Sequence, residues 1–149
     1  MRKIILIVFI VITALPSITY GESELEMLPP CTAILQPVGK VPKNARGVAL
    51  IYHIERKFND HRTSLSVNAL HLPKPSSFGD YNSYEALAFI PQKISWIFSL
   101  AEYGESNWAG NLDEISSTMR PNRIKVRAIN TRTNKVGPVV LEKKVNCPN

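Results

Sequence analysis

From Cys31 onward the chain alternates apolar and polar residues in short runs rich in β-branched and aromatic side chains. Successive side chains on a strand point to opposite faces, so such alternation builds sheets with one buried face. Nowhere does an apolar period of 3.6 residues last for three helical turns. The pattern predicts an all-β protein. A length of 149 residues leaves room for one domain. With 44% hydrophobic and 20% charged residues, the composition suits a packed core and not a disordered chain. Gly, Pro and Asn clusters divide the chain into about seven strands, which predicts a single antiparallel two-sheet sandwich.

The best-defined unit is a hairpin from Gly47 to Leu72. Val48, Leu50, Tyr52 and Ile54 alternate on one strand, and Leu65, Val67 and Ala69 on the next. With Asn59-Asp60 as the turn, Ile54 faces Leu65, Tyr52 faces Val67 and Leu50 faces Ala69, all on one apolar face. Further strands are expected over Tyr84–Ile90, stopped by Pro91, and over Ile94–Leu100, where Trp96 belongs to the core. Glu102–Asn111 reads as loop because of Gly104 and Gly110, and Leu112–Ile115 as a short edge strand. Ile124, Val126 and Ala128 alternate with basic residues, and Val139–Val145 completes the set.

The stretch Arg123-Ile-Lys-Val-Arg-Ala-Ile-Asn-Thr131, followed by Val136-Gly137-Pro138, is similar to the last hairpin of fibronectin type III and related immunoglobulin-like domains. The resemblance implies an Ig-like sandwich and no particular activity, because such sandwiches host adhesion, recognition and assembly roles alike.

The N-terminus has a separate purpose. Met1-Arg2-Lys3 precedes the apolar run Ile4–Leu15. Pro16 breaks that run, and Thr19 and Gly21 place small residues before a cleavage point. This is the layout of a secretory signal peptide over residues 1–21. It predicts an exported protein, periplasmic or extracellular, with no membrane span once the segment is cut. An uncleaved N-terminal membrane anchor is the second reading. Cleavage removes two cations and no acid, taking the net charge from +6 to +4. Residues 22–30 form an acidic lead-in, and residues 31–149 the sandwich domain. In an oxidising compartment Cys31 and Cys147 are expected to form a structural disulfide. Pro29 and Pro30 before Cys31 are not the small residues that lipoprotein processing needs, so that route is less expected.

Charge is the strongest functional signal. From Arg120 to Asn149 there are eight basic residues against Glu142 alone. Arg123, Lys125 and Arg127 share parity, so one strand face becomes a basic stripe that Lys144 can join. Such a stripe can hold an anionic glycan or other envelope component, a lipid headgroup, nucleic acid or an acidic protein surface. Of these, a protein or an anionic glycan or envelope component is expected ahead of nucleic acid. The competing view is a solvated face whose cations discourage edge pairing. Glu102, Glu105, Asp113 and Glu114 form an opposite pole, which allows self-association between copies; their spacing matches no calcium loop.

Loop aromatics supply an alternative. Tyr81, Tyr103 and Trp108, with asparagines nearby, are residue types that a carbohydrate-binding face uses, although such rings can equally cap a core. A small secreted hydrolase is a further alternative, but no nucleophile elbow, phosphate loop or dinucleotide glycine pattern occurs. His53, His61 and His71 do not converge in the expected register, so no metal and no cofactor is expected. The sequence thus predicts a non-enzymatic, exported binding module.

Overall fold

The computed structural model describes residues 29–147. The expected signal segment, and nearly all of the expected acidic lead-in, lie outside the described residues. Eight strands run in order: β1 (Cys31–Pro37), β2 (Arg46–Arg56), β3 (Asp60–Leu70), β4 (Ser83–Ile90), β5 (Ile94–Tyr103), β6 (Asn107–Ser116), β7 (Arg123–Asn130) and β8 (Lys135–Lys144). Around the structure the neighbours are β1-β2-β3-β6-β5-β4-β7-β8, and β8 returns to β1 to close a barrel. Every pairing is antiparallel.

The all-β antiparallel character is as expected, but the sandwich of about seven strands is corrected to a closed barrel of eight. Two well-paired walls, β1-β2-β3-β6 and β5-β4-β7-β8, meet at two narrow seams. Gln36 and Pro37 pair with Glu142 and Leu141 at one seam. Ala101, Glu102 and Tyr103 pair with Ala109, Trp108 and Asn107 at the other. Alternation reports which face of a strand is buried, and a sandwich and a flattened barrel satisfy it equally. The extra strand is β1, which the expected set lacks, and the edge strand expected at Leu112–Ile115 reaches back into the stretch expected as loop, as far as Asn107. Of the two glycines in that stretch only Gly104 lies in the turn, 104–106, with φ of 62°. Gly110 lies inside β6 because a Cβ at that position would sit 2.6 Å from the Ser99 carbonyl oxygen, where the two walls close on each other.

The β2–β3 hairpin forms with a different register. Arg56 pairs with Asp60 and Ile51 with Leu65. The turn is a 3₁₀ segment, Lys57–Asn59, in which Phe58 and Asn59 both have positive φ. The shift from the expected register is an odd number of residues, so β2 presents its other face to the core. Ala49 and Ile51 are fully buried, whereas Val48 is exposed and Leu50 and Tyr52 are half-buried on the outside.

The interior is filled with side chains. Ala33, Ala49, Ala69, Ala86, Ala88 and Ala128 alternate in space with Leu35, Ile51, Leu65, Tyr84, Ile124 and Leu141. An eight-stranded barrel has an interior about as wide as its own side chains, so small and large residues share it. The outside carries Lys, Arg and Glu, the reverse of a barrel that spans a bilayer. Cys31 and Cys147 are disulfide-bonded, with 5.6 Å between their Cα atoms. The bond ties β1 to the chain after β8 where the two strands no longer pair.

The registers sort the connections into two ends. One, the tip end, gathers the turns at 57–59 and 91–93, the connection 117–122 and the disulfide. The other, the capped end, gathers the connections 38–45, 71–82, 104–106 and 131–134. At the capped end Leu72 is buried and Tyr84 is fully buried. The Tyr84 hydroxyl donates to the Pro73 carbonyl at 2.8 Å.

Candidate functional site

On β7 the alternation is unambiguous. Ile124, Val126 and Ala128 are fully buried, and Arg123, Lys125 and Arg127 point outward. Arg123 pairs in register with Lys144 on the final strand, so the two cations stand side by side. The stripe is not uniform. Arg127 Nε donates to Glu85 Oε1 at 2.6 Å, and both side chains are largely buried. Lys125 lies 3.6 Å from Glu142. Both carboxylates sit on neighbouring strands at the register positions that face these cations: Glu85 opposite Arg127, and Glu142 opposite Lys125. Half of the stripe is therefore internal bracing. Glu85 has no mark in the sequence beyond its parity with Leu87 and Phe89 on β4, and Glu142 stands out there only as the lone acid among eight basic residues.

The other half stays cationic. Arg123 and Lys144 are exposed and lie toward the tip end. Neither takes part in a salt bridge among the described residues. Beside them is an apolar strip. Leu87 pairs with Ile97 on one side and Lys125 on the other, and Phe89 pairs with Ser95 and Arg123. Arg123 and Lys125 stand over the Phe89 ring at 5.9 and 5.7 Å from its centroid, a cation–π arrangement that fixes both heads near one surface. Ile97 is 52% exposed.

Around the rim at the tip end, a cleft of about 560 Å³ is lined by Ile90, Ile94 and Met119 with Lys93, Ser117 and Arg120. Arg120 Nη2 lies 3.3 Å from His53 Nε2 and 3.4 Å from the Pro29 carbonyl. Desolvation, then the Arg120 charge, hold His53 below its ordinary pKa. The positive charge at this contact accordingly belongs to the arginine.

Residues 27–149 match the family described as "SPbeta prophage-derived uncharacterized protein YoqH". The chain belongs to the YoqH family. The YoqH protein of Bacillus subtilis (strain 168), which carries the same description, is 47% identical over 120 residues, covering 78% of this chain and 80% of the relative. No solved structure matches the chain. The stretch that matches the YoqH family contains all eight strands, both cysteines and the whole basic stripe.

The remaining sequence candidates fall elsewhere in this YoqH-family barrel. Tyr81, Tyr103 and Trp108 do not form one exposed aromatic face. Trp108 is only 6% exposed and packs edge-on against Tyr84, with ring centroids 5.1 Å apart. Tyr81 is half-buried against the core, beside the position where Gly137 leaves room for its ring. Tyr103 alone is exposed, and its hydroxyl is hydrogen-bonded to Asn68. Trp96 packs against the core while remaining half-buried. Among the acids, Glu114 pairs with Arg56, and Asp113 accepts from Ser64 and Asn111. Among the described residues no three His, Cys, Asp or Glu side chains group as metal ligands.

Proposed function

We propose that this protein is an exported, non-enzymatic binding module that engages an anionic envelope partner through the outer face of β7 and β8. The observation that carries this reading is the register of Arg123 beside Lys144, next to the apolar strip of Leu87, Phe89 and Ile97. Cations beside apolar side chains give a surface that attracts an anion electrostatically and then excludes water from the contact. Within the stripe, Arg123 and Lys144 are the contact residues. Lys125 is shared with Glu142, and Arg127 braces the wall through Glu85. The disulfide suits an oxidising compartment, in keeping with export.

The test is elution of the oxidised, exported product from immobilised heparin, used as a model polyanion, with its N-terminus read by mass spectrometry. Reversing Arg123 and Lys144 to Glu should lower the eluting salt concentration well beyond the effect of reversing Lys40 and Lys74. Both pairs change net charge equally, so equal shifts would mean that only total charge matters and would overturn the reading.

A further inference from the structure

The tip end carries a second pattern. Three connections that meet there each bring an exposed apolar side chain, in the connection or at the first strand residue after it, next to a cation: Lys57-Phe58, Lys93-Ile94 and Met119-Arg120. Phe58 is 99% exposed, and Ile94 and Met119 are 39% and 38% exposed. Isolated surface hydrophobes are ordinary, and Ile34, Val48, Ile97, Tyr103 and Val136 are exposed elsewhere, but these three stand together in or beside the connections of one end. Phe58 also holds φ of 65°, a conformation in which a bulky L residue is strained. It touches no core that would offset that strain, and such outliers concentrate at sites of function. Ile94 and Met119 border a single cleft.

The charge around these tips is one-sided once internal pairs are removed. Asp60 is paired with Arg62 and Arg56, and Glu114 with Arg56. That leaves Glu55 as the exposed acid beside Lys57, Lys93, Arg123, Lys143 and Lys144. None of these five cations is in a salt bridge among the described residues.

We propose that the tip end docks onto an anionic lipid surface, with Phe58, Ile94 and Met119 entering the headgroup layer and the surrounding lysines meeting acidic headgroups. This rests on the reading above and names its partner. The apolar tips stand on separate turns, and a fluid interface receives such side chains one at a time without a complementary shape. A soluble polyanion has no apolar phase to receive them. Each cation held near an anionic membrane favours binding by roughly fivefold. The described chain also begins at this end, where the Pro29 carbonyl meets Arg120.

The experiment compares the oxidised, exported product with its triple variant Phe58→Ser, Ile94→Ser, Met119→Ser, both with the same N-terminus. Co-sedimentation is measured with phosphatidylglycerol vesicles and with phosphatidylcholine vesicles, at low and high salt, and heparin elution runs in parallel. The expected result is binding to phosphatidylglycerol vesicles alone, weakened at high salt and at least tenfold weaker in the triple variant, with heparin elution unchanged. In Phe58→Trp, the introduced indole is exposed whereas Trp96 and Trp108 are half-buried and buried, so emission should shift to the blue on phosphatidylglycerol and stay unshifted on heparin. Circular dichroism confirms that each variant folds. Vesicle binding that survives the triple substitution, or no vesicle binding alongside site-specific heparin binding, overturns the lipid proposal and leaves the anionic-partner reading standing. Loss of both removes the two together.

Discussion

The two ends of this barrel are built on opposite principles. At the capped end the connections are tied to one another by their polar groups. Asn82 bonds Thr131 through backbone and side chain, and the Asn130 carboxamide spans the Asp80 carbonyl and the Arg132 and Thr133 amides. The Leu72 amide bonds to Ser106, and the Lys135 ammonium sits 5.4 Å from the Tyr81 ring centroid. Satisfied polar groups over a buried Leu72, Tyr84 and Trp108 make a lid. At the tip end the connections are short, apolar side chains point outward, and both seams have parted. What closes the barrel there is a covalent bond. The contrast separates residues whose work is to hold the barrel from residues available for work outside it.

The largest effect should come from cutting that bond. The disulfide spans 116 residues, and restricting so long a loop in the unfolded chain is worth about 4–5 kcal/mol in the chain-entropy model. Reduction, or Cys31→Ser, should lower the urea midpoint accordingly. Amide exchange should rise first in β1, which meets β8 through two residues only. If exchange rises first at the capped end instead, the division between the ends is wrong. Next in size is Trp108→Ala, expected to cost about 3–5 kcal/mol as a buried aromatic truncation. A ring that served a ligand and not the core would leave the unfolding midpoint in place. Gly110→Ala should cost about 1–3 kcal/mol, because the added Cβ meets the rigid Ser99 carbonyl and neither backbone can yield cheaply.

Two strands show what the sequence does and does not reveal. On β7 the residues alternate Arg, Ile, Lys, Val, Arg, Ala, so only one face can be buried, and both the stripe and its backing are legible. On β2 both parities are apolar: Val48, Leu50 and Tyr52 against Ala49 and Ile51. Size favours the first set, yet the narrow interior takes the smaller one, and the three-residue turn around Phe58 decides the register. That turn needs two consecutive positive φ values, which Phe58-Asn59 does not advertise as Asn-Gly does. Closure was hidden for a related reason, since it rests on a few ordinary residue pairs at the seams. The basic stripe could be read by parity alone. Its division into bracing and contact halves depends on Glu85 and Glu142, whose positions are set by pairing partners distant in the chain. The exposed tips were hidden because a lone Phe, Ile or Met in a short turn looks like the end of a strand.

A smaller pair of substitutions sharpens the contrast between the ends. Asn130→Ala at the capped end leaves the Arg132 and Thr133 amides without their acceptor and should cost about 1–3 kcal/mol. Phe58→Gly at the tip end removes a fully exposed ring from a positive-φ position. It should leave stability within about 0.5 kcal/mol of the parent or raise it. Urea titration of both variants checks this, and a marked loss in Phe58→Gly would mean that the ring supports the fold after all.

The smallest effect concerns His53. Its folded pKa is lowered, by desolvation first and by Arg120 second, while the Arg62 backbone opposes the shift and His61 adds to it. The unfolded chain then binds the proton more readily than the folded one, so stability rises with pH across this titration. The contribution is fully present above the ordinary histidine value and is lost as pH falls below it. Urea midpoints at about pH 7.5 and about pH 5.5 should therefore differ more in the parent than in His53→Gln, which keeps a polar group opposite Arg120 without the charge. Equal drops in both proteins would place the pH dependence outside His53. Arg120 would then be held by its other contacts, and His53 would be a bystander in ordering the rim that carries Met119.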